Sequence, residues 1–146
     1  MTAFPNSPIL DNFNRANEGP PPSSNWTSGW IFATGLSVIS NVVQAPISLN
    51  GDAYWNPNTF GPDCEVYVDI GGTFSSYNFY LGLRLAQPGS ATVDGYYVGN
   101  QVGAVCDIAR LDNGVATVLG ATISHTSDVE SLGFRVFGSS LYFYKT

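Results

Sequence analysis

The strongest constraint on the fold is a period of two. In Cys64–Ile70, the residues Cys64, Val66, Val68 and Ile70 fall on one side, while Glu65, Tyr67 and Asp69 fall on the other. In Asn78–Leu85, Phe79, Leu81, Leu83 and Leu85 alternate with Tyr80, Gly82 and Arg84. Side chains of an extended strand point alternately to opposite faces, so each segment predicts a half-buried antiparallel strand. No stretch repeats at the helical period of 3.6. Gly, Pro, Asn and Ser interrupt the chain about every 8–12 residues, the spacing of short strands in a sandwich or barrel.

Further strands are expected at Gly29–Phe32, Ser37–Ile39, Asn41–Ala45, Ala53–Trp55, Gly95–Gly99, Ala104–Leu111, Val115–Ile123, Ser131–Phe137 and Leu141–Lys145. Asp112-Asn113-Gly114 should turn a hairpin, because Asn-Gly accepts the positive φ angles of a type I′ turn. Gly138-Ser139-Ser140 should turn a second. Residues 1–24 read as an arm followed by an irregular Pro-rich segment in which Pro20-Pro21-Pro22 favours polyproline II. Residues 25–146 read as one domain.

Composition narrows the function. A chain of 146 residues with 44% hydrophobic and 14% aromatic residues can bury a core without staples. Five Lys and Arg against eleven Asp and Glu, net −6, suit neither a phosphate backbone nor an anionic membrane. The opening Met1-Thr2-Ala3-Phe4-Pro5 has no basic and apolar signal pattern, so a chain made and kept in a cytoplasm, or released by lysis, is expected. Cys64 and Cys106 are then expected as free, buried thiols.

Several segments, in order, resemble the concanavalin A-like lectin/glucanase superfamily as it occurs in surface proteins of phage particles. They are Asp11-Asn12-Phe13-Asn14-Arg15 with Asn25-Trp26, Asp63 to Ile70, Tyr80 to Leu85, Asp94 to Val98, Ile108 to Gly114, and Leu132 to Val136. The resemblance implies an all-β, two-sheet antiparallel jelly-roll sandwich. It also implies a virion protein whose partners are the major capsid protein or other virion proteins and further copies of itself. Relatives usually continue past the Leu141–Lys145 type of strand, so either the N-terminal segment supplies the closing strand or Leu141, Tyr142, Phe143 and Tyr144 form an open sheet edge.

Candidate residues follow from chemistry. Phe4, Pro5, Ile9 and Leu10 are apolar or rigid residues of an arm that packs on its own domain or on a neighbour. Trp55, Tyr96 and Tyr97 exceed what one small core needs and are candidates to stack on a sugar or a partner. Tyr96 and Tyr97 are adjacent, so only one can face the core. Trp26 and Trp30 are expected in the core. Asp63 and Glu65 share the parity of paired glycosidase carboxylates, which stand ~5–5.5 Å apart in retaining enzymes. Their order and spacing differ from the Glu-x-Asp-x-(x)-Glu pattern of the glucanase branch, so no catalytic residue is assigned. Asn50-Gly51-Asp52 and Asp94 could offer oxygens to Ca²⁺, but they serve equally as turn formers. No metal or cofactor is assigned. His125 has no partner at ligand or triad spacing and reads as a surface residue. The leading expectation is a non-enzymatic capsid decoration protein, and the alternative is a carbohydrate-binding module.

Overall fold

A computed structural model describes residues 4–30, 34–46, 50–70, 79–101, 105–124 and 131–146. Phe32, Asn78 and Ala104, ends of three expected strands, lie outside these residues, as does His125. The described residues contain twelve strands in antiparallel sheets and no helix. The chain divides into two compact units, one made of residues 1–8, 60–86 and 94–146, the other of residues 9–59 and 87–93. Residues 1–24 are therefore shared between the two units.

The larger unit holds two sheets. One has the order β12 (Ser140–Lys145), β11 (Ser131–Phe137), β5 (Cys64–Asp69). The other runs β10 (Ile123–Ser124), β8 (Val105–Asp112), β7 (Asp94–Gln101), β6 (Tyr80–Ala86), with β9 (Val115–Val118) also on β8. Their facing sides share one core. Val98 and Cys106 come from the larger sheet, Phe134 and Val136 from the smaller, all fully buried. Leu81, Leu83, Tyr96, Ile108, Leu141 and Phe143 pack around them. The alternation read in Cys64–Ile70 thus turns Val66 and Val68 inward and leaves Glu65 and Tyr67 on the outer face.

Turn chemistry sets the registers. Between β8 and β9, Asn113 (φ 51°) and Gly114 (φ 77°) form the expected two-residue turn, and the Asn113 amide donates to the Asp94 carboxylate at 2.6 Å. Phe137 pairs with Ser140, so the β11–β12 turn is only Gly138-Ser139, with Gly138 at φ 56°. The expected strand Val115–Ile123 breaks into β9 and β10 around Gly120, whose positive φ (77°) departs from extended backbone. In β6 the register shifts between Leu83 and Ala86, and Arg84 takes φ 51°, the signature of a bulge that re-aims a side chain.

The smaller unit is built from two antiparallel pairs, β1 (Trp26–Ser28) with β4 (Ala53–Trp55) and the hairpin β2 (Ser37–Ile39) with β3 (Val42–Gln44). A strand lies at Trp26–Ser28, and Gly29 (φ 83°) ends it; of the strand expected at Gly29–Phe32 only Gly29 and Trp30 are among the described residues, and neither is in a strand. Asn41 belongs to the turn, not to β3: Ser40 and Asn41 both have positive φ, the type I′ pattern. Pro20-Pro21-Pro22 is a series of bends rather than an extended polyproline II rod.

This unit is locked by one carboxylate. Asp11 accepts two bonds from the Arg15 guanidinium (2.7 and 2.9 Å), one from the Trp26 indole (3.0 Å) and one from the Phe13 amide (2.9 Å). Arg15 also donates to the Pro22 carbonyl and the Glu18 carboxylate. The Asp11–Arg15–Trp26 spacing seen in the sequence is therefore a structural clamp. Arg15 above all holds the Asp11 carboxyl down to about 2; burial opposes it, and Trp26 and Phe13 add to the lowering.

Candidate functional site

The outer face of the β12–β11–β5 sheet collects aromatic residues. Gly133 lies in register between Tyr67 on β5 and Tyr144 on β12, so the middle strand has a gap flanked by two rings. Phe4 fills that gap. Its ring stacks parallel on Tyr144 at 4.1 Å and meets Tyr67 edge-on at 6.2 Å. A Cβ on Gly133 would stand 1.8 Å from the Phe4 ring, so the glycine is what admits it.

One row along, Glu65 and Arg135 are paired in register, 3.8 Å apart between charged groups. The same carboxylate accepts the backbone N–H groups of Asn6 (2.5 Å) and Ser7 (2.7 Å). The Glu65 side chain is only 5% exposed. Burial raises its pKa, but the Asn6 and Ser7 amides and the Arg135 charge outweigh that and leave it below the ordinary glutamate value. A general acid needs the opposite shift. Of the expected arm residues, Phe4 thus docks on its own unit, Pro5 is exposed, and Ile9 and Leu10 are exposed.

The other carboxylates weighed in the sequence also hold structure. Asp63 accepts the Gly138 amide at 2.8 Å and meets Arg84 at 3.4 Å. Asp69 accepts the Ser131 hydroxyl at 2.6 Å. Asp52 is buried and accepts the Trp30 amide at 3.0 Å, while Asp94 accepts Asn113. No cluster of three His, Cys, Asp or Glu suited to a metal ion occurs among the described residues.

Arg84 draws one end of the larger unit together. From the β6 bulge it donates to the carbonyls of Pro62 and Gly138 and faces Asp63. The start of β5, the β11–β12 turn and β6 therefore meet at this end. The β8–β9 turn is at the same end, because Tyr96, next to Leu83 on β6, pairs with Arg110, two residues before Asp112. Phe60, Val115 and Phe137, close in sequence to these turns, are each more than half exposed. A shallow cleft of about 190 Å³ is lined by Arg84, Tyr96, Arg110, Leu119, Val136, Ser139 and Leu141.

The remaining candidates are placed as follows. Tyr96 packs on the core; Tyr97 lies on the opposite face of β7, edge-on to Tyr80 at 5.5 Å. Trp55 is half-buried, edge-on to Trp26 at 5.4 Å, with its indole N–H on Asn58. Trp30 is buried and Trp26 half-buried. β12 lies at an edge of its sheet, with Leu141 and Phe143 facing the core and Tyr142 and Tyr144 outward. Cys64 and Cys106 are free thiols; Cys106 is buried as expected, Cys64 is only half-buried, and burial above all pushes Cys106 up to about 11. Sequence reasoning missed the parts of Tyr67, Gly133, Arg135 and Arg84; the signal for the first three is their common parity on paired strands, which only the register makes visible. No family model, curated protein or solved structure was found to match the chain.

Proposed function

We propose that the larger unit is a jelly-roll sandwich of the concanavalin A-like kind and that the protein is a non-enzymatic component of a phage particle, decorating the assembled capsid. The observation that carries this reading is the set of large apolar side chains left exposed on the larger unit, Phe60, Val115, Val118 and Phe137, in a chain with 11% charged residues. Exposed apolar side chains offer area that a protein partner can cover. A surface of this kind that meets the assembled shell, and not free subunits, stabilises the shell by mass action.

The carbohydrate reading has less to stand on. Trp55 and Tyr97 are engaged by neighbouring rings, and the cleft beside Tyr96 is smaller than the roughly 300 Å³ at which ligand pockets begin.

The test is copy number. Particles produced with the wild-type chain should carry it in hundreds of copies by quantitative mass spectrometry. Phe137→Asp with Val115→Asp should reduce that number at least tenfold, with circular dichroism unchanged. An unaltered copy number, or a wild-type chain that does not travel with particles at all, overturns the reading.

A further inference from the structure

The docked arm is held at two points separated by a very short exposed stretch. Asn6 and Ser7 are bonded to Glu65, and Asp11 is fixed by Arg15, Trp26 and Phe13. Between them lie only Pro8, Ile9 and Leu10, all exposed, with Ile9 at 68% and Leu10 at 48%. Two bulky apolar side chains in a three-residue connector are costly in water and do nothing for the closed monomer. The notch they lead into is specific for this segment: a glycine-sized gap between two tyrosines takes the Phe4 ring, and a nearly sealed carboxylate takes two successive amides.

We propose that residues 4–8 are an exchangeable clasp, and that two copies of the chain form a dimer by seating each arm in the other's Tyr67–Gly133–Tyr144 notch. Every contact of the closed arm is remade with the same groups in the partner, so exchange neither loses nor gains bonds at the notch. The difference lies in the connector. When the arms cross, the two Pro8-Ile9-Leu10 stretches run alongside each other about the twofold axis, and Ile9 and Leu10 leave water against their symmetry mates. A short connector favours this over opening alone, because it has little slack to fold back. The dimer is independent of any role on a capsid and is read on the purified chain with no particles present.

Complementation tests it by sedimentation equilibrium. The wild type should reach twice its 15.6 kDa mass. Gly133→Ala, which closes the notch, and a chain lacking residues 1–8 should each remain monomeric. Mixed at equal and tenfold higher concentration, they should form a 1:1 dimer, because one supplies the arm and the other the notch. As a variant that leaves notch and arm intact, Ile9→Asp with Leu10→Asp should raise the dimer dissociation constant at least tenfold. A wild type that stays monomeric, single variants that still dimerise, or a mixture that stays monomeric overturns the exchange.

Discussion

At the scale of single residues, Asp11 ties stability to pH. Its folded pKa of about 2 lies below the ordinary 3.8, so the ionised form is the one the fold prefers. The stabilisation is fully present above about pH 4 and is lost as pH falls toward 2. It amounts to about 2 kcal/mol. Denaturant titrations at pH 6 and pH 2 should show that loss, and Asp11→Asn should remove most of the pH dependence while costing about 2–3 kcal/mol at neutral pH. Glu65 has the same sign: its folded pKa is lowered, so acid weakens the clasp on Asn6 and Ser7. Amide exchange at these two residues should accelerate on acidification, relative to the acid-dependent intrinsic rate, before the sheets open. Cys64 and Cys106 behave oppositely to reactive cysteines. Burial raises both thiols, so the buried Cys106 should not react with a thiol reagent at pH 7.5 until the chain is unfolded, and the half-buried Cys64 should react more slowly than a free thiol.

At the scale of elements, the two-residue turns set the pairing. Gly114 sits at φ 77°, where a side chain crowds the backbone, so Gly114→Val should cost about 1–2 kcal/mol and loosen β9 before β7 and β8 in hydrogen exchange. Asp94→Ala, which frees the Asn113 amide, should act on the same hairpin. What the sequence made legible follows from the same physics. Strands β5, β6, β7, β8, β11 and β12 have one face in a core, and burial enforces the alternation that reveals them. Trp26-Thr27-Ser28 has no such alternation, so nothing in its pattern marks β1 as a strand; only Gly29, conformationally free to leave the strand, marks its end. The break at Gly120 was hidden because Val115–Val118 and Ile123 continue the same β-branched composition across it. For the site, Phe4 and Glu65 stood out by residue type. The notch did not, because it is made by the register of three strands drawn from distant parts of the chain.

At the scale of the molecule, stability is concentrated where the two sheets of the larger unit meet. Phe134 is fully buried between them, and Phe134→Ala should cost about 3–5 kcal/mol and lower the melting temperature by roughly 10–20 °C. By contrast, changes at Phe60 or Phe137 should leave the melting temperature nearly unchanged and appear only in association. Arg84 decides how this end of the larger unit behaves. Its guanidinium bolts the β6 bulge to the start of β5 and to the β11–β12 turn, so the grip they present is cast before any partner arrives. Docking there should resemble the meeting of two hard surfaces: little ordering on contact, a modest entropic penalty, and a heat-capacity change that tracks the covered grease alone. Loosening the bolt with Arg84→Ala should then weaken docking out of proportion to its distance from Phe137, by letting the mould go soft.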